Sequence, residues 1–331
     1  MIIESSAPTR VDLAGGTVDI WPLYLFHKDA LTVNFAINLL AKAKLSTRED
    51  NKIILASNIS DEEVSFDSFN NLHHNHYLSL FSMIIEFFQP KQGFRLEVKG
   101  SAPPGAGLSS SSALNIAVCG ALNRLTKKGF SMDELHEIAK NIEGKFLKML
   151  TGYQDYVPAL YGGVNIVYLG MNKISHETID VDIKELEDRL VLCYTGKPRN
   201  SGMSNWEMIK NEIEGKDGVH EKFARIVATA HKMKDVLFDK RFDDIGLILG
   251  EEWENRKLLA DSVSTDKIES LIALAKKNGA ISAKVCGAGG GGCVVFFVEK
   301  NKKEDVSNAL SKESDVIDFQ IVKKGLVINE A

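Results

Sequence analysis

Residues 103–113 read Pro-Pro-Gly-Ala-Gly-Leu-Ser-Ser-Ser-Ser-Ala, a run whose residue types and spacing suit the cradling of an anion. Gly105 and Gly107 free the backbone to turn successive N–H groups toward one point, and a helix opening behind them adds the partial positive charge of its N-terminus. Ser109, Ser110, Ser111 and Ser112 supply hydroxyls for phosphate oxygens or a magnesium ion. Such a cradle needs a strand before it and a helix after it. Phe94, Leu96 and Val98 alternate with polar residues as in a half-buried strand. Downstream, Leu114, Ile116, Ala117, Val118, Ala121, Leu122 and Leu125 fit an amphipathic helix. A flexible Gly/Ser linker of the same composition would not normally sit between two strongly patterned elements.

Further elements follow from the pattern. Ser131 and Glu134 have the spacing of a capping box, and they open a periodic helix through Ile138, Ile142, Phe146 and Leu147 that carries Glu143. The polar stretch 171–182, before the apolar run Leu-Val-Leu-Cys-Tyr at 190–194, marks the expected domain junction. In the second half, 234–254 and 266–277 read as helices and 293–298 as a buried strand. His73, His74 and His76 read as an exposed loop, because no acidic or cysteine partner stands near them in sequence.

Composition narrows the functional classes. At 331 residues, the chain has room for two domains with buried cores. With 44% hydrophobic and 26% charged residues it reads as globular, which sets disorder and fibre aside. A net charge of -5 gives no electrostatic reason for a nucleic-acid or anionic-membrane partner. Four cysteines without paired spacing read as reduced, packed thiols. No secretion-type start and no membrane-length apolar run is present, so the expected location is cytoplasmic. The oligomeric state is left open, a homodimer included.

A second glycine loop, Gly-Ala-Gly-Gly-Gly-Gly at 287–292, satisfies G-x-G-x-x-G as text. The dinucleotide fingerprint requires a helix after the glycines, and here a strand-like segment follows. A P-loop is absent as well, since no glycine-rich segment ends in Gly-Lys-Ser or Gly-Lys-Thr. Five glycines in six residues exceed what a hairpin turn needs and point to close backbone approach to a bulky partner.

Three segments in order resemble the kinases grouped as galactokinase, homoserine kinase, mevalonate kinase and phosphomevalonate kinase, the GHMP family. They are Ala-Pro-Thr-Arg-Val-Asp-Leu-Ala-Gly-Gly-Thr-Val-Asp at 7–19, the run at 103–113, and 284–293. The resemblance implies an α+β, two-domain GHMP-kinase-like fold with the active site in the cleft between domains: an ATP-binding unit at 1–180 and a C-terminal unit at 181–331. Ala-Gly-Gly followed by Asp19 and Pro22, and Gly-Tyr-Gln-Asp-Tyr at 152–156 before Gly162 and Gly163, are similar to the sugar-1-kinase branch that includes heptose 7-phosphate kinases and fucokinases. Thr17-Val18-Asp19, Tyr156 and Pro158 depart from that branch's pattern and leave the sugar open.

The resemblance also assigns roles. Pro104, Gly105, Ala106, Gly107, Leu108 and Ser109 to Ser112 would hold the ATP phosphates, and Ser111 and Glu143 would ligate Mg2+, a cation that favours oxygen donors. Asp155 would be the base toward the sugar hydroxyl, with Arg10 steadying negative charge beside it. Asp19, Gly16, Thr17 and Gln154 would contact the sugar, Lys197 and Arg199 would hold a substrate phosphate, and Gly289 and Gly290 would close near the reacting groups. Lys284 is expected only to cap the approach to the glycine loop. The implied reaction is ATP- and Mg2+-dependent phosphorylation of the anomeric hydroxyl of a sugar or sugar phosphate, most like a heptose 7-phosphate. The alternatives are fucose, galactose or mevalonate as acceptor, or a non-catalytic sugar and ATP sensor.

Overall fold

In the computed structural model, residues 1–198, 201–216 and 218–331 are described, with the backbone alone described at 201–204. The first sheet contains β1 (Ile2–Ala14), β2 (Leu31–Thr47), β3 (Ile53–Ser57), β4 (Glu62–Phe66), β5 (Phe94–Gly100), β6 (Val164–Leu169) and β7 (Ile174–Ile179). The second contains β8 (Leu190–Tyr194), β9 (Ala280–Val285), β10 (Cys293–Val298) and β11 (Asp315–Ile317), and the last strand, β12 (Val327–Glu330), returns to the first sheet beside β1. Helices α1 (Leu23–Phe26), α2 (Ser79–Phe88), α3 (Ser110–Thr126), α4 (Met132–Leu147) and α5 (Tyr156–Tyr161) accompany the first sheet. Helices α6 (Ile183–Asp188), α7 (Ser201–Ile213), α8 (Val219–Phe238), α9 (Phe242–Lys257), α10 (Asp266–Lys277) and α11 (Lys303–Leu310) follow in the second half. The result is a two-domain α+β fold.

The first sheet runs β12-β1-β2-β5-β3-β4, antiparallel except for the parallel pair β3 and β5. The long strand β2 pairs with β5 through its C-terminal half and with β6 through its N-terminal half. Along β1, burial alternates at first and becomes continuous from Ala7 onward. That change follows from a second layer: α3 covers one face, while α8 and α9 of the other unit reach the far half of the strand. Arg10 and Asp12 share one face of β1 by the two-residue period of a strand, and both are buried.

The expected strand at 94–98 is β5, and the capping box at Ser131 is formed, with Glu134 N donating to Ser131 Oγ and Ser131 N donating to Glu134 Oε2. The strand at 293–298 is β10, and 266–277 is α10. Three expectations need correction, and one segment read only for its polarity holds a strand. The helix α3 is not amphipathic: Ser112 to Leu122 are buried without a break, because the helix lies between the sheet and α2, α4 and α5. The single helix read at 234–254 is two helices, α8 and α9, broken where Lys240 takes a left-handed conformation at φ 56° and Arg241 ties Asp239 to Asp244. The polar stretch at 171–182 contains the edge strand β7, whose backbone pairs with β6. His76 is not exposed with His73 and His74 but half-buried at the start of α2, near Ser82 Oγ, and His74 has Glu86 as an acidic neighbour at 3.5 Å. All four cysteines are buried.

Candidate active site

The residues of the first motif converge with those of the Gln-Asp segment around one polar cavity, walled by Arg10, Asp19, Gln154 and Asp155 on the first unit and by Arg256, Gly287 and Ala288 on the second. Arg10, which as an isolated residue on a strand would be a surface cation, is 2% exposed. Its Nε and Nη2 both donate to Asp155 Oδ1, at 2.9 and 2.5 Å, and its Nη1 donates to the carbonyl of Gly107 at 2.7 Å. One guanidinium thus joins the phosphate-cradle loop to the aspartate. Burial opposes its charge, but Asp155 and Asp12 outweigh burial and push its pKa above the ordinary arginine value. Asp155 sits at the cap position of α5 with its side chain 26% exposed, so its other oxygen is open to a ligand.

Asp19 lies against Asp155 on the same wall. Its Oδ2 accepts from the backbone N of Gln154 at 2.9 Å, and an isolated bridge between Ile20 and Gly152 holds the two segments together. Glycine is required at 152, because a Cβ there would overlap the Asp19 carboxylate. Burial, and then the charge of Asp155, raise the Asp19 pKa to about 7. At neutral pH this carboxyl is therefore poised both to donate and to accept a hydrogen bond. Gln154 is buried, and its Oε1 finds no hydrogen-bond partner among the described residues.

At the cradle, Gly105 and Gly107 take φ values of 66° and 78°, which favour glycine, and Ser109 takes the left-handed value of 57° just before α3. The start of α3 has no side-chain cap, and the buried Oγ atoms of Ser109 and Ser110 have no hydrogen-bond partner. These uncapped N–H groups and hydroxyls form an anion-binding arrangement. Ser111 Oγ donates to Glu143 Oε1 at 2.6 Å, and Tyr156 OH donates to Glu143 Oε2 at 2.5 Å. Glu143 is 2% exposed, and burial raises its pKa against the hydrogen bonds of Ser111 and Tyr156. A buried carboxylate held against serine oxygens, with a further serine oxygen orphaned beside it, fits a divalent ion with hard oxygen preferences.

The glycine loop joins β9 to β10 and packs directly on the cradle. A Cβ at Gly292, where φ is 81°, would stand 2.7 Å from the Ala106 carbonyl, and Cys293 N donates to that same carbonyl at 2.7 Å. The bulky partner of the glycines is thus, in part, the protein's own loop at Gly105 and Ala106. Gly289 and Gly290 press against Val263 and Ser262 and do not line the cavity; Gly287 and Ala288 do. Lys197 is exposed and outside the cavity lining, with its carbonyl accepting from Gly292 N at 3.0 Å. Arg199 lies outside the described residues.

Beneath the cavity lies an ionic layer that motif reading missed. Lys284, expected only to cap an approach, is fully buried and donates to both the carboxylate and the carbonyl of Asp12. Asp12 Oδ1 accepts from Gly287 N at 3.0 Å, which fixes the start of the glycine loop. Although burial works the other way, Lys284, Arg10 and Arg256 together hold the Asp12 pKa well below the ordinary carboxylate range. Arg256 donates to the Gly16 carbonyl at 2.9 Å, to Thr17 Oγ1 at 2.7 Å and to the Gly287 carbonyl at 2.9 Å, so it clamps the first motif to the third. Glu252 stands one turn earlier on α9, accepts from Gly15 N at 3.2 Å, and is raised to about 7 by burial. The signal available was weak: Glu252 and Arg256 fall on the apolar face with Ile245 and Leu249, where an i,i+4 pair is easily taken for a solvated one.

Comparison with known proteins places the chain in a family. Residues 75–163 match the model of the GHMP kinases N terminal domain, and 233–315 match GHMP kinases C terminal. The D-glycero-alpha-D-manno-heptose 7-phosphate kinase of Campylobacter jejuni subsp. jejuni serotype O:2 is 33% identical over 98% of both chains. The crystal structure of a D-glycero-D-manno-heptose 1-phosphate kinase from Bacteriodes thetaiotaomicron superposes with a TM-score of 0.81 at 26% identity, covering 99% of each chain. Galactokinase of Lactococcus lactis, complexed with galactose, shares the fold with a TM-score of 0.80 at 19% identity, over 98% of this chain and 95% of that one. With this likeness running along nearly its whole length, the chain belongs to the GHMP kinase family.

Proposed function

We propose that the chain transfers the γ-phosphoryl group of ATP, with Mg2+, to the anomeric hydroxyl of a sugar phosphate, with D-glycero-D-manno-heptose 7-phosphate as acceptor. Membership of the kinase family makes it a phosphotransferase acting on a hydroxyl of a small molecule; the acceptor, the metal and the residue roles are the proposal. The observation that carries it is the unit formed by Arg10 and Asp155, tied to the Gly107 carbonyl and lining one cavity together with Asp19.

In this reading the phosphates of ATP rest on residues 104–112, against the uncapped start of α3. Ser111 and Glu143 hold the magnesium ion, which when bound neutralises phosphate charge. Asp19, Gln154, Gly16 and Thr17 orient the sugar; Lys197, outside the cavity lining, and Arg199, outside the described residues, are the proposed partners of its phosphate. Gly289 and Gly290 shape the third motif through their contacts behind the cavity. The anomeric oxygen attacks the γ-phosphorus, its proton passes to the open oxygen of Asp155, and the bond to the ADP oxygen breaks with its electron pair. Arg10 orients Asp155 through two hydrogen bonds to its Oδ1. The units at 1–180 and 181–331 close on this cavity from opposite sides. No described helix is long and apolar enough to cross a membrane, and a cytoplasmic location and a lack of nucleic-acid partners are the expected setting.

The test is phosphorus NMR of the protein with ATP, Mg2+ and D-glycero-D-manno-heptose 7-phosphate. A new anomeric phosphate signal, formed in step with ADP, is the expected result. Formation of ADP and product with fucose or galactose alone would replace the proposed acceptor.

A further inference from the structure

Away from the cavity, three side chains from separate elements meet at one point. His27 follows α1, Glu212 lies in the last turn of α7, and His220 lies in the first turn of α8. His27 and Glu212 are 5% and 9% exposed, and His220 closes the group from the solvent side. His27 Nε2 stands 3.2 Å from Glu212 Oε1, His220 Nδ1 stands 2.8 Å from that oxygen, and all three donor atoms lie within 4.8 Å of one another. The two imidazoles are stacked with centroids 4.5 Å apart, and Phe223 packs against His27.

Hydrogen bonding leaves this cluster incomplete. His220 pairs with Glu212 Oε1, and His27 Nε2 stands beside the same oxygen without a well-aligned hydrogen bond, while Glu212 Oε2 is buried with no partner. An orphaned buried acceptor is costly, and Glu212 Oε2 lies beside the oxygen on which His27 and His220 converge, so the cluster has capacity for one more partner. Tetrahedral zinc with ligand bonds of about 2.0–2.1 Å holds its ligands roughly 3.3 Å apart; the buried pair His27 and Glu212 stands at 3.2 Å, and the exposed His220, at 2.8 Å from Glu212, is the ligand free to adjust. Two imidazoles and one carboxylate also form a recognised zinc ligand set, with one position left for water.

We propose that His27, Glu212 and His220 bind one divalent transition-metal ion of the zinc class. The donor set sets this site apart from the oxygen-only pair Ser111 and Glu143: imidazole nitrogen selects zinc or cobalt over magnesium. The ion fastens α7 and α8 to the chain that follows α1.

The test uses the full-length protein stripped with a chelator, desalted, and titrated with Co2+ and then Zn2+ in the presence of excess Mg2+. One equivalent of Co2+ giving the visible absorption of a low-coordinate site, displaced by Zn2+, is expected, together with a rise in melting temperature. His220→Gln removes an exposed ligand at little risk to folding, and it should weaken binding by more than the ~10–100-fold that loss of an outer-shell partner costs. His74→Gln in the loop near α2 should leave binding unchanged. Absence of uptake by the wild type, equal uptake by His220→Gln, or loss of uptake in His74→Gln instead would each overturn the proposal.

Discussion

Asp12 and Asp19 are aspartates of the same motif, almost equally buried at 0% and 2% exposure, and their surroundings treat them in opposite ways. Around Asp12 the protein gathers Lys284, Arg10 and Arg256, and the carboxylate stays charged far below its usual pKa. Around Asp19, among the described residues, no cation makes an ion pair; burial and the repelling charge of Asp155 outweigh the Gln154 amide and the attraction of Arg10, and its pKa rises to about 7. The first region is a closed ionic layer that holds three motifs together. In the second, Asp19, Asp155 and Gln154 line the cavity and the Gln154 Oε1 is left without a partner, an arrangement suited to a polyhydroxylated ligand.

Breaking each side separately sharpens the contrast. The largest effect is expected in the open region: Asp155→Asn should lower turnover by about 10²–10⁴-fold, the usual worth of a general base, while calorimetry finds ATP affinity nearly unchanged. Equal losses of turnover and ATP binding would make Asp155 a structural member of the ionic layer instead. In the closed region, Lys284→Met leaves Asp12 charged and buried, and should cost about 3–5 kcal/mol in urea unfolding. A loss below about 1 kcal/mol would show that Arg10 and Arg256 suffice. The smallest effect belongs to Glu143→Gln, which should raise the Mg2+ concentration for half-maximal rate by roughly tenfold, the scale of one lost charge-assisted contact. An unchanged Mg2+ requirement would remove Glu143 and its partner Ser111 from the metal site.

The open region was largely legible in the sequence, and the closed one was not. Gly105, Gly107 and the serine run announce themselves because a phosphate cradle is local, built from one loop and the helix that follows. The capping box at Ser131 placed α4, and with it Glu143, for the same reason. Asp12 and Lys284 are 272 positions apart, and Arg256 and Gly16 are 240 apart, so no spacing rule connects them. Lys284 was misjudged because a lysine is almost never fully buried unless paired, and its pairing is a tertiary fact. The all-round burial of α3 was hidden in the same way: Asn115 and Ser112 look solvent-facing in sequence, yet Asn115 donates to the Ala139 carbonyl of α4. The break at Lys240 escaped because a lysine gives no sign of a left-handed turn, unlike the glycines of 287–292.

The contrast between the two aspartates is tested most directly by a carbon-13 NMR titration of the protein labelled at its aspartate carboxyls, with Asp19→Asn used for assignment. The account predicts that the Asp19 resonance titrates near pH 7, while Asp12 stays ionised throughout the range in which the protein is folded. Since the folded state then holds an extra proton between about pH 4 and 7, Asp19 should make stability fall as pH rises through that window, and Asp19→Asn should remove that part of the slope. Asp19 titrating near its ordinary value of 3.8 would contradict the account, because it would mean that a cation or solvent already satisfies the charge that the cavity is held to keep open.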